Sequence, residues 1–367
     1  MSPSPDPVAA ISQRVETFVT AERDAASEWG AEAALFIEAA ARALHGGKRL
    51  RGRFCIAGFR AVAEADGGTG PSTGAPAELL SAAAALEIFH AAALVHDDVI
   101  DNSDTRRGRP AAHRALEASH RSAGWVGDAA AFGESAAVLL GDLLVAWSDD
   151  LLEQGLTAAS PGAAAAARAE YSRMRRDVTV GQFLDIAEES AFRTEPDARH
   201  AERALRVASL KSARYSVQQP LAIGAALAGA DAAQHAALAA FGHPLGMAFQ
   251  LRDDVLGVFG DEEQTGKPSG DDLREGKRTV LIAYTREQLD APARRVVDEL
   301  VGDPALDDVQ VAALQRTIVD TGALERVEAL IADYAREAAR SLSGARLGNA
   351  AVGELRDLAR AATVRTN

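Results

Sequence analysis

The chain has one cysteine, Cys55, in 367 residues. A disulfide framework is therefore impossible, and a reducing compartment is expected. Aromatic residues are scarce at 5%, and no stretch alternates apolar and polar β-branched residues for long enough to make a convincing strand. A β-rich fold is disfavoured. No run of 18 apolar residues is free of charge, so no membrane span is expected; the alanine-rich run 221–240 is interrupted by Asp231, Gln234 and His235. The opening residues Met1-Ser2-Pro3-Ser4-Pro5-Asp6 lack the basic region and apolar core of a secretion signal. These absences together point to the cytoplasm. Positive charge is also in deficit. Lys and Arg number 39 against 53 Asp and Glu, for a formal net charge of −14, which suits general nucleic-acid binding poorly.

What is abundant is alanine, which favours helix. The length would allow two domains, but no linker divides the sequence. The expectation is an all-α fold, one large helical domain over 8–367, with a disordered N-terminus at 1–7. Helices are expected near 8–28, 31–45, 48–65, 76–101, 134–155, 162–190, 197–213 and 231–260. Shorter ones should follow near 279–290, 291–302, 305–320, 322–342 and 350–364. Composition marks 66–74 as a flexible loop and 119–133 and 261–278 as further loops. Pro220 marks a turn or kink.

Two acidic sites interrupt apolar helical runs: His96-Asp97-Asp98-Val99-Ile100-Asp101 and Arg252-Asp253-Asp254. Burying such acids beside Leu94, Val95, Val99 and Ile100 is costly unless a cation neutralises them. Asp97 and Asp101 are four apart and share one helix face. That spacing suits Mg²⁺ held jointly by protein carboxylates and substrate phosphate oxygens. A solvated acidic helix end is the plainer alternative, although helix C-termini disfavour anions. Basic residues lie close by in sequence. Arg106 and Arg107 follow the first acidic site, where arginine forks can grip phosphate or simply form a surface ion-pair network. Gly46-Gly47-Lys48-Arg49-Leu50-Arg51 opens a helix, a place where backbone N–H groups and basic side chains can bind an anion. Its spacing is not that of a Walker loop. Lys267 and Lys277 lie in a glycine-bearing loop after the second acidic site; a generic polar loop is the alternative there.

Taken together and in this order, these segments resemble the trans-isoprenyl diphosphate synthases, bacterial geranylgeranyl diphosphate synthases among them. The likeness runs from 47–51 to 276–279. It implies the isoprenoid synthase bundle around a central apolar cavity, a homodimer, and three Mg²⁺ held by Asp97, Asp98, Asp101, Asp253 and Asp254. It places Lys48, Arg51, His90 and Arg107 on isopentenyl diphosphate. Arg106, Lys211, Ser212, Gln250, Lys267 and Lys277 fall on the allylic diphosphate, and Gln182 and Asp185 of Gly181-Gln182-Phe183-Leu184-Asp185 line the cavity. One departure stands out: the second motif usually ends in a third aspartate, and here that position is Gly257, with Asp261 one turn further on.

The implied chemistry is ionisation of the allylic diphosphate, condensation and proton loss, with Mg²⁺ and basic side chains stabilising the departing charge. If the helix carrying Asp97 lines the tunnel, Ala93, Ala92 and Phe89 share its metal-bearing face. Two alanines leave room beyond a farnesyl chain and Phe89 blocks further growth, which points to a C20 product. Phe89 as ordinary core is the alternative, and a farnesyl or longer polyprenyl product then stays open. A class I terpene cyclase would not need Lys48, Arg51 and His90, and its usual second motif is missing. A non-catalytic subunit of a heteromeric synthase tends to lose one acidic motif, whereas this chain keeps most of both. A helical metal-buffering protein explains none of the basic residues.

Overall fold

The computed structural model describes residues 6–65, 75–260, 269–303 and 305–363. Among these the fold is all-α, as expected. The flexible loop expected at 66–74, and residues 1–5 of the expected disordered N-terminus, lie outside the described residues. The N-terminal boundary differs from expectation, because Asp6 accepts from the Val8 N–H and Pro7 opens helix α1 (Pro7–Ala26). Aspartate at the cap and proline in the first turn are both start signals.

The chain divides into two compact units. The first comprises Met1–Ala167 with Ile223–Gly229, and the second Arg168–Ala222 with Ala230–Asn367. In the first, α1 is followed by α2 (Ala31–Ala43), α3 (Leu50–Ala63) and α4 (Ala77–Ile100). A two-residue-per-strand hairpin, β1 (Thr105–Arg106) with β2 (Arg109–Pro110), then leads to α5 (Ala112–Ser122) and α6 (Ala129–Leu156). The core helix is α4. Its alanines 82–85 are wholly buried, and such small side chains let α6 approach closely enough for the Ser148 hydroxyl to donate to the Ala85 carbonyl at 2.6 Å. Phe18 of α1 packs edge-on against Trp147 of α6 at 5.8 Å between centroids.

The loop expected at 119–133 is mostly helix. Residues 119–122 end α5, and α6 starts at Ala129 because Asp128 accepts from the N–H groups of Ala130 and Ala131. Glycines at 124 and 127 take positive φ and suggest loop in the sequence, but they occupy only the short turn between the helices. By length and composition α4 and α6 are apolar enough to cross a membrane, where the sequence reading expected no such helix; 72% of the apolar window of α4 is buried inside the protein and 28% of that of α6. Burial of that extent in α4 is the state of a core helix.

In the second unit, α7 (Pro161–Ala191) runs in from the first, and α8 (His200–Val207) leads into a π-helical stretch, Ala208–Gln218. Then come α9 (Gln219–Leu227) and α10 (Ala232–Phe259). The remaining helices are α11 (Asp271–Glu275), α12 (Val280–Gln288), α13 (Ala291–Leu300), α14 (Asp308–Asp320), α15 (Ala323–Ser341) and α16 (Asn349–Thr363). Pro220 makes no turn. It stands at the second residue of α9, directly after the π stretch, so helical backbone continues through it. The core here is aliphatic: Leu251, Val255 and Val258 of α10 pack with Leu273, Val280, Leu314, Val327 and Ile331.

Gly224 of α9 lies in the first unit against α3, where an added Cβ would sit 1.9 Å from the Cys55 carbonyl oxygen. Backbone cannot yield as a side-chain tip can. Gly224→Ala is therefore expected to destabilise by about 3 kcal/mol, seen as a lowered thermal midpoint; an unchanged midpoint would contradict the close approach.

Candidate active site

In the first unit His90, Arg51 and Arg107, three of the four residues expected to bind isopentenyl diphosphate, come together. His90 of α4 keeps part of its surface open, yet its pKa is held well below the usual histidine range by burial of the ring and then by Arg51, Arg107, Arg106 and Arg49. Four arginines crowd one imidazole, which is accordingly neutral. Arg107 lies over the 44–49 loop: a Cβ on Gly47 would stand 3.3 Å from its Nη1. Lys48, in the same loop, is exposed. Among the described residues, three that are not glycine adopt left-handed φ, namely Arg49 (49°), Asn102 (51°) and Arg107 (53°). Arg49 and Arg107 belong to the basic segments singled out above and Asn102 directly follows the first acidic one, and strained backbone tends to gather at functional sites.

The helix start at Leu50 is not open to a ligand in the way its sequence suggests. The Gly52 N–H, at the third position of α3, already donates to Glu87 Oε1 at 2.8 Å.

The first acidic site resolves into two parts. Asp98 is 3% exposed and bound by Arg106, whose Nε donates to Oδ1 at 2.8 Å; its Nη2 contacts the same oxygen. Asp97 and Asp101 are partly exposed, with Asp101 closing α4 as its N–H donates to the Asp97 carbonyl. Of the chain-length candidates, Phe89 and Ala92 are buried in α4 and Ala93 is half-buried.

In the second unit, Lys211 and Ser212 sit in the π stretch. Wide π turns recur at functional sites, and here close backbone contacts from both flanking helices accompany it. A Cβ on Gly181 of α7 would fall 2.3 Å from the Lys211 nitrogen, and one on Gly246 of α10 would fall 2.3 Å from the Ala213 carbonyl oxygen. Gly181 of the Gly-Gln-x-x-Asp segment is thus glycine because the Lys211 backbone lies on it. Lys211 is ion-paired with Asp185 of the same segment. Gln182 Nε2 is buried without a hydrogen-bond partner among the described residues.

On α10, Gln250 Nε2 donates to Asp254 Oδ1 at 2.7 Å, so this expected diphosphate contact is turned to the acidic pair. Asp254 is buried, and its pKa is pushed up to about 8 by burial and then by Asp272, with Asp253 and Asp185 adding to the rise and the Gln250 hydrogen bond opposing it. The sequence reading missed Asp272 as part of this group. It belongs to α11, and its Oδ2 occupies the space a residue-257 side chain would need, 2.0 Å from a Cβ there. Lys277 Nζ lies 3.5 Å from Asp272 Oδ1 and 2.5 Å from Glu275 Oε2. Lys267 and Asp261 lie outside the described residues. Among the described residues no three acids, histidines or cysteines are gathered closely enough to hold a metal ion by themselves; a hard divalent cation held partly by substrate oxygens would relieve the crowding around Asp254.

A family model for polyprenyl synthetase matches residues 34–318. The chain belongs to the polyprenyl synthetase family. Among relatives of this family, heptaprenyl diphosphate synthase component 2 of Geobacillus stearothermophilus is 34% identical over 358 residues, covering 96% of this chain and 94% of the relative. A short chain isoprenyl diphosphate synthase of Methanocaldococcus jannaschii is 30% identical over 234 residues; the match covers 64% of each chain, a little under two thirds of that relative's length. The crystal structure of geranylgeranyl pyrophosphate synthase from Corynebacterium glutamicum, complexed with isoprenyl diphosphate and magnesium, superposes with a TM-score of 0.89. It is 37% identical and covers 97% of this chain and 98% of that one.

Two outcomes follow from the acid cluster. A carboxylate with a raised folded pKa keeps its proton when the unfolded chain has lost it, so stability falls as pH rises from about 4 to about 8. In metal-free protein, Asp254→Asn should flatten that fall in a series of thermal midpoints against pH; an unaltered slope would remove Asp254 as its source. Gly257→Asp, which writes in the family's missing acid, should lower both thermal midpoint and turnover because Asp272 already fills the space, whereas a gain in both would show that the space is available.

Proposed function

We propose that this chain is a Mg²⁺-dependent prenyltransferase that joins isopentenyl diphosphate to an allylic diphosphate by head-to-tail (1'-4) condensation and releases diphosphate. The observation that carries the reading is the gathering of Arg49, Arg51, Arg106 and Arg107 around His90, in a chain of this family. A cyclase acting on one allylic diphosphate has no use for that second anion site.

Lys48, Arg51 and Arg107 supply charge to isopentenyl diphosphate, and His90 contributes hydrogen bonding rather than charge. Arg106, Lys211, Ser212, Gln250, Lys267 and Lys277 serve the allylic diphosphate, with Asp98 fixing Arg106 and Asp185 fixing Lys211. Asp97, Asp101 and Asp253 would hold the metal, with Asp98 and Asp254 behind them; three ions is the complement expected. A magnesium ion held by these carboxylates would supply Lewis-acid stabilisation of the charge on the leaving diphosphate. The isopentenyl double bond then attacks the allylic cation, and the departing diphosphate removes the proton. Gln182, with its buried amide lacking a partner, and Asp185 line the cavity.

The product assigned is C20, geranylgeranyl diphosphate, with Ala92 and Ala93 leaving space and Phe89 as floor. The reading includes one cooperative domain over 8–367, a cytoplasmic setting and a homodimer. Exposed Val138 and Leu139 on α6, and Val180 and Phe183 on α7, support pairing with a second copy. Similarity to a heptaprenyl synthase component favours a second reading, a subunit of a two-chain synthase.

The decisive experiment supplies the purified single chain with isopentenyl diphosphate, Mg²⁺ and, in turn, dimethylallyl, geranyl and farnesyl diphosphate, followed by chromatography of the dephosphorylated products. Chain elongation to C20 that a metal chelator abolishes is expected. No elongation from any primer would overturn the proposal, and product from an allylic diphosphate alone would indicate a cyclase. In the same assay Phe89→Ala should lengthen the product and Ala92→Phe shorten it; unchanged lengths in both variants would place the floor elsewhere.

A further inference from the structure

Glu87 is 5% exposed on α4, one turn before His90 and so on the same helix face. An acid buried in an apolar helix needs a specific partner. Its Oε1 takes the Gly52 N–H at 2.8 Å, at the start of α3. Gly52 lies flat on α4 there: an added Cβ would meet Ile11 Cδ1 at 2.7 Å and the Ala83 carbonyl oxygen at 3.1 Å. Glu87 thus supplies the negative charge that a helix N-terminus favours, and it does so from inside the protein.

Its charge also acts on the loop that precedes α3. Arg49 is 7% exposed in a left-handed conformation, with Nη2 donating to the Leu44 carbonyl at 2.9 Å and Nε to Ser12 Oγ at 3.3 Å. Burial lowers the pKa of Arg49; Glu87 favours its charged form and Arg107 opposes it. Arg49 is therefore a structural cation, tied to protein oxygens, and it anchors the turn between Lys48 and Arg51. Without a buried anion, Arg49, Arg51, Arg106 and Arg107 would repel one another around His90. Asp98 answers Arg106, and Glu87 answers Arg49.

We infer that Glu87 is a positioning residue for isopentenyl diphosphate. It pins the start of α3 and the charge of Arg49, so that Lys48 and Arg51 flank the anion site in one fixed arrangement while touching no substrate itself. This rests on the assignment of Lys48 and Arg51 to isopentenyl diphosphate, and the controls separate the two ideas.

The test compares Glu87→Gln, which keeps an acceptor for the Gly52 N–H but removes the charge, with Lys48→Ala. Steady-state constants for both substrates, calorimetric binding of isopentenyl diphosphate alone and thermal midpoints are measured for each. For Glu87→Gln, KM and Kd for isopentenyl diphosphate should rise about tenfold, the effect expected of one charge-assisted interaction. Its kcat and its KM for the allylic substrate should stay within about twofold of the parent. A rise in Lys48→Ala but not in Glu87→Gln would overturn the positioning role. No rise in either would overturn the underlying site assignment. A fall in kcat, a rise in both KM values and a lower thermal midpoint together would show Glu87 to be merely structural, and would also overturn the proposal.

Discussion

Charge placed in helix walls is the constraint on which the rest depends. Asp98, Asp254 and Glu87 are all buried, and an ionised carboxylate out of water must be answered nearby. Each is answered differently. Asp98 is met by the Arg106 fork, Glu87 by a backbone N–H at a helix start and the field of Arg49, and Asp254 by an amide among other acids. The first two arrangements are complete within the protein. The third lies among other acids, and burial first and Asp272 next push its pKa up.

Helix packing serves this placement. Small residues let backbones meet where charged side chains must be held. Alanines on α4 admit α6, and glycines at 181 and 246 admit the π stretch that carries Lys211. A π turn adds a residue to the helical ladder and turns the side chains that follow. Lys211 thereby meets Asp185, while the Ser209 hydroxyl lies 2.9 Å from His243 Nε2. The same economy of space explains Gly257. Where the family usually has a third acid on α10, the carboxylate in that place belongs to Asp272 on another helix.

Family membership fixes less than it suggests. One relative is named for a short chain, one for a heptaprenyl product as one of several components, and the superposed structure for geranylgeranyl diphosphate. Membership of the family therefore does not by itself fix product length.

The all-helical class, the positions of most long helices and the two acidic segments were legible in the sequence. They depend on local composition and on the 3.6-residue period, which neighbouring residues set among themselves. The helices at 112–122 and 129–133 were not, because a capping aspartate outweighs glycines that occupy only the turn between them. Pro220 read as a break because its backbone restriction is local, whereas the π stretch before it, approached closely by the backbones of α7 and α10, runs straight on into α9. Which donor meets which carboxylate was equally beyond sequence: Arg106 with Asp98 spans eight residues, Lys211 with Asp185 spans 26, and the Gly52 N–H with Glu87 spans 35. Long-range pairing and the filling of space beside Gly257 are properties of packed helices, since distance in three dimensions sets both the Coulomb energy and the steric limit.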